Sequence, residues 1–129
     1  NQPLPPELNG AKPFSDAIWN VELRAAICEL SYLNMFVNTG PGELCIMNRQ
    51  TRYLLFKMRP WFPSDEAFQH SFHGKGIEPG SQFVTATPFQ RVVWEDDTIE
   101  VISEAFRDMC ERIERSVLST RESGALSTT

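Results

Sequence analysis

Histidine occurs twice, cysteine three times and lysine three times among the 129 residues, and no run of basic residues is present. Each scarcity excludes something. Three cysteines, Cys28, Cys45 and Cys110, cannot all pair and stand far apart in sequence. That argues against a secreted disulfide framework and for reduced thiols inside a cell, in the cytoplasm or in an organelle after removal of a leader. A net charge of −5 with scattered arginines excludes a phosphate-backbone footprint. No apolar stretch approaches the roughly 20 residues that span a bilayer, and no signal-peptide pattern is visible. The chain opens on Asn1, which leaves a removed leader and a piece of a longer protein equally open.

What is present is ordinary for a globular domain: 41% hydrophobic and 22% charged residues. The length suits one domain rather than two. Four prolines in residues 1–13 read as an extended arm, residues 14–118 as a single globular domain, and residues 119–129 as a flexible tail. Ser15 offers an N-cap, and the absence of Gly and Pro up to Val37 predicts one long helix with two apolar stripes. Asn38, Gly40, Pro41 and Gly42 end it. Two strands are expected at residues 43–47 and 52–58, joined as a hairpin by residues 48–51. A short helix is expected from residue 65 to 73, then strands at 82–85 and 89–94. Asp97 and Glu100 resemble a capping box. Ile99, Ile102, Ala105, Phe106, Met109, Ile113 and Val117 follow helical spacing. The expected fold class is α/β: a small, mostly antiparallel sheet with helices on one face and a long C-terminal helix.

The stretch that points to chemistry runs from Gly76 to Trp94. Pro79-Gly80 sets a tight turn. Arg91 lies in an apolar strand beside Val92, Val93 and Trp94. Its guanidinium either reaches solvent from an edge strand or meets an anion, and a planar fork of donors suits a carboxylate. The pattern Gly76-Ile77-x-Pro79-Gly80-Ser81-x-Phe83, then Arg91-Val92, then an amphipathic helix, is similar to the end of fold-type I, class I/II pyridoxal-phosphate (PLP) aminotransferases. The likeness is greatest to the branch holding aminocyclopropane-carboxylate synthases and tyrosine or alanine aminotransferases. It covers residues 74–117 and is looser over 40–73. It implies that Arg91 binds the α-carboxylate of an amino-acid substrate. The family's Schiff-base lysine follows a Ser-x-x-Lys pattern, whereas none of Lys12, Lys57 and Lys75 has Ser three residues before it. Without that lysine the electron sink cannot be assembled.

The expectation is therefore an aminotransferase-like small domain that holds a carboxylate through Arg91 and is incomplete for catalysis by itself. PLP would belong to it only through a missing segment or a partner, and no residue is assigned a catalytic, cofactor-binding or metal-binding role. The partner is the remainder of the enzyme, another protein or a second copy. The alternative is an assembly subunit that uses an aromatic patch of Trp61, Phe62, Phe68 and Phe72. Glu66, His70 and His73 share a helix face at metal-ligand spacing, but a solvated face explains them. Capping explains Glu95, Asp96 and Asp97, and burial explains the cysteines.

Overall fold

A computed structural model describes residues 6–8, 10–38, 42–58, 77 and 80–127, with side chains through residue 122. The expected helix at 65–73, the aromatic patch, Lys75 and the Glu66/His70/His73 face lie outside these residues.

The architecture is built on the run Tyr53-Leu54-Leu55-Phe56, the central strand β2, whose four residues are all buried. An uninterrupted apolar run of that length suits a strand covered on both faces. It lies between β1 (Asn34–Val37) and β3 (Gln90–Val92), and both pairings are parallel. The sheet is thus mixed with helices as expected, but its strands run parallel rather than antiparallel. The expected hairpin is absent. Residues 43–46 instead form the short helix α2 (Glu43–Ile46), which serves as the crossover between β1 and β2. A four-residue apolar run does not distinguish strand from helix by periodicity alone.

The first strand comes from inside the stretch expected to be helical. Helix α1 (Val21–Leu30) starts at Asn20, whose Oδ1 accepts from Leu23 N–H at 3.0 Å, rather than at Ser15. Residues Ser15–Ala17 form a separate 3-10 turn, held by Arg24 Nε donating to the Ala17 carbonyl at 3.2 Å. The helix stops without Gly or Pro. Ser31 turns extended and its N–H and hydroxyl both bond the Ile27 carbonyl. Asn34 Nδ2 then donates to the Cys28 carbonyl (2.8 Å) and to the Arg52 carbonyl (3.0 Å), closing the helix end onto the neighbouring strand. These polar side chains satisfy the end carbonyls that a C-terminal glycine motif would otherwise serve.

Alternation along β2 divides the core. Tyr53 and Leu55 face a cluster with Cys45, Met58, Phe83 and Val92, against which Cys28 and Phe36 pack. Leu54 and Phe56 face the opposite cluster of Val93, Ala105, Met109 and Ile113. Helices therefore cover both faces, which corrects the one-face expectation: α1 and α2 lie on one side and helix α3 (Ile99–Ser127) on the other. Burial of side chains such as Met109 and Ile113 stabilises by about 1.5–3 kcal/mol each. On α3 the buried stripe is Ala105, Met109 and Ile113, while Ile99 and Phe106 stand exposed. The helix also continues past Ser119, to Ser127. Its cap is Thr98, whose Oγ1 accepts from Val101 N–H at 3.2 Å, and not Asp97. Gly42 lies against the Phe36 ring so closely that an added Cβ would fall 2.5 Å from two ring carbons.

Candidate functional site

Among the described residues β3 is an edge strand, and its outer edge is closed by a side chain. Gln82 Nε2 donates to the Val92 carbonyl at 2.9 Å, and Gln82 Oε1 accepts from Val92 N–H. The expected strand at 82–85 is thus replaced by one amide that imitates a strand partner. Trp94 Nε1 donates to the Ser81 carbonyl at 2.6 Å, tying the turn at Gly80 (φ +80°) to the end of β3. The start of β3 is anchored by Gln90, 3% exposed, whose Nε2 donates to the carbonyls of Asn48 and Thr51, both at 2.9 Å.

These anchors fix Arg91 at the sheet edge, in register with Leu54 and hence on the α3 side. Among the described residues none accepts a hydrogen bond from the Arg91 guanidinium or pairs with it. Arg91 borders two depressions. A groove of about 440 Å³ is lined by Gln82, Thr87, Gln90, Arg91 and Arg112 among others, and holds two arginines and, among the described residues, no acid. A smaller one of about 140 Å³ holds Arg91 with Glu95, Glu104 and Asp108. Arg112 is positioned by Nη1 donating to the Pro88 carbonyl at 2.6 Å, which uses one of its five N–H donors. The larger groove can therefore take an anion, while the smaller one repels it. Arg112 had no distinguishing signal in the sequence, because it lies among charges on an exposed helix face.

At the C-terminal edge of the parallel strands, where ligands of open α/β sheets gather, Lys57 follows β2 with φ +58°, a left-handed conformation unusual for a side chain with a Cβ. Its Nζ lies 3.4 Å from Asp97 Oδ2. This pair, and not helix capping, is what Asp97 serves. As a Schiff-base lysine for PLP, Lys57 is poorly placed: it is ion-paired and close to half exposed. Lys12 lies exposed in the N-terminal segment. The described lysines, Lys12 and Lys57, do not fit the cofactor. No three His, Cys, Asp or Glu side chains converge as metal ligands among the described residues. No described helix is long and apolar enough to cross a membrane.

The three cysteines are separated into a pair and a single. Cys28 on α1 and Cys45 on α2 meet under the sheet, where burial first, and then the Cys28 thiol, push Cys45 up to about 12. Cys110 lies on α3, its thiol raised by burial and by Glu114. Nearby, the Tyr32 hydroxyl donates to Glu114 at 2.6 Å, which pushes Tyr32 up to about 12. Tyr53, fully buried, has a hydroxyl with no partner among the described residues. No family model, curated protein or solved structure matches the chain.

Proposed function

We propose that this chain is a carboxylate-binding module, in which Arg91 grips the anion and Arg112 supplies a second positive charge across the groove. In the aminotransferase-like reading the ligand is an amino acid and the chain is one part of a larger catalytic unit. The observation that carries the proposal is an arginine that, among the described residues, has no acceptor and lines a groove with a second arginine and no acid. The parallel sheet differs from the antiparallel sheet expected with that reading, so the proposal rests on the groove rather than on the resemblance.

The test is a calorimetric or NMR titration of the folded chain with acetate, an α-amino acid and a dicarboxylate. A charge-assisted hydrogen bond contributes about 1.5–3 kcal/mol, so Arg91→Ala weakens binding about 10- to 100-fold. Arg112→Ala has a smaller effect, and Asp108→Asn strengthens binding by relieving repulsion. Circular dichroism of Arg91→Ala stays unchanged. If Arg91→Ala unfolds the chain, or binds the ligands as the parent does, the carboxylate reading fails. The assembly reading then stands, favoured by the exposed Phe14, Ile18, Trp19 and Val21, of which Trp19 is 93% exposed.

A further inference from the structure

Cysteines 17 positions apart in sequence are brought together by the fold alone. Helix α1 delivers Cys28 and helix α2 delivers Cys45 to one apolar cluster beneath Tyr53 and Leu55. Helix α1 packs on α2, Cys28 packs against the cluster that buries Cys45, and its thiol is near enough to hold the Cys45 proton more tightly. The two sulfurs differ in access: Cys45 is 3% exposed, whereas Cys28 is partly exposed. Cys110 sits on α3, which covers the opposite face of the sheet. We propose that Cys28 and Cys45 form a peroxide-responsive dithiol, in which Cys28 meets the oxidant and Cys45 resolves it to a disulfide joining α1 to α2.

The chemistry balances with a hydroperoxide as the only co-reactant. The Cys28 thiolate attacks one peroxide oxygen, the O–O bond breaks, and Cys28 becomes a sulfenic acid as the first water leaves. Cys45 sulfur then attacks the Cys28 sulfur. The S–S bond forms, the S–O bond breaks, and the second oxygen departs as water with the Cys45 proton. Two thiols lose two electrons and two protons, and hydrogen peroxide becomes two waters.

Burial explains the division of labour. Solvent-borne peroxide reaches Cys28 before Cys45, and a thiol held as strongly protonated as Cys45 is a poor first nucleophile. Only a sulfenic acid already beside it gives Cys45 an electrophile. The disulfide would tie the end of α1 to the β1–α2 crossover, where Gly42 already lies tightly against Phe36. A cross-link there restrains the unfolded chain and raises the unfolding midpoint.

The full-length chain is exposed to one equivalent of hydrogen peroxide, alkylated, digested and mapped by mass spectrometry. The expected product is a peptide pair joined through Cys28 and Cys45 that has lost two hydrogens. It forms equally in Cys110→Ser, and dithiothreitol reverses it. The urea midpoint rises on oxidation and returns on reduction. Cys45→Ala, chosen because an apolar residue suits the buried site, accumulates a Cys28 sulfenic acid that dimedone captures, whereas the parent gives no dimedone adduct. Over-oxidation of Cys28 in the parent with Cys45 still free overturns the proposal. So does cross-linking mainly through Cys110. Formation of the 28–45 bond faster in urea than in the folded chain overturns it as well, since proximity in sequence would then suffice.

Discussion

Gln90→Met removes a buried amide while nearly preserving its volume, which separates hydrogen bonding from packing. The Gln90 side chain serves three backbone groups: it donates to the carbonyls of Asn48 and Thr51 and accepts from Thr87 N–H at 3.1 Å. Thr51, 1% exposed, has no water to turn to, so stranding its carbonyl costs about 1–3 kcal/mol. The other two contacts are partly buried, and their loss costs about 0.5–1.5 kcal/mol each. A more favourable burial of the thioether than of the amide offsets roughly 1 kcal/mol of this. The net expectation is a loss of about 1–5 kcal/mol. Urea unfolding followed by circular dichroism reads it as a midpoint lower by about 0.5–2.5 M at an ordinary slope of roughly 2 kcal/mol/M for a small domain. Gln82→Met is the control. Its amide also pairs with backbone, at Val92, but at a partly buried edge where water can replace it, so its cost is about 1 kcal/mol. Equal losses in the two variants, or a Gln90→Met loss below about 0.5 kcal/mol, would refute the claim that this amide anchors β3. Gln90→Glu adds a pH signature. A carboxylate facing two carbonyls is disfavoured in the fold, so its folded pKa lies above the unfolded value of about 4.3. The penalty is absent at acid pH and grows as pH rises through the folded pKa.

Alkaline sensitivity follows from Cys45 and Tyr53, both pushed up to about 12, chiefly by burial. Folded values above the unfolded ones of about 8.5 and 10 mean that their contribution is complete below pH ~8.5 and is lost as pH rises toward 12. Unfolding midpoints should therefore fall above pH ~9. Tyr53→Phe flattens the upper part of that fall and is neutral or stabilising at pH 7, because it removes a buried hydroxyl that has no partner among the described residues; a marked loss at pH 7 refutes this. At α3, Thr98→Ala costs about 1 kcal/mol in urea unfolding. Asp97→Ala, which breaks only a partly exposed pair with Lys57, costs under about 1 kcal/mol, and the reverse ranking would restore Asp97 as the cap.

The elements legible in sequence were those whose signal is carried by their own residues. The α3 periodicity over Ala105, Met109 and Ile113 needs no partner to be read, and neither does the apolar run 53–56. Strand β1 was hidden because α1 ends on Ser31 and Asn34 side chains, and Asn34 closes that end partly by bonding the Arg52 carbonyl, 18 residues away in sequence. Within the candidate site Arg91 was visible through its apolar neighbours, whereas Arg112 becomes part of the groove only when α3 is laid beside β3.

By itself the sequence determined that the chain mixes helices with short apolar strands, ends in a long amphipathic helix and carries an arginine in a strand at its centre. These follow from periodicity and side-chain type, which are local. Only the tertiary structure decided that the strands run parallel, that helices cover both faces, that Arg91 shares its groove with Arg112, and that Cys28 meets Cys45. Strand direction and such meetings depend on how the crossovers lay distant segments together, and backbone pairing reads no side chain that would announce it in advance.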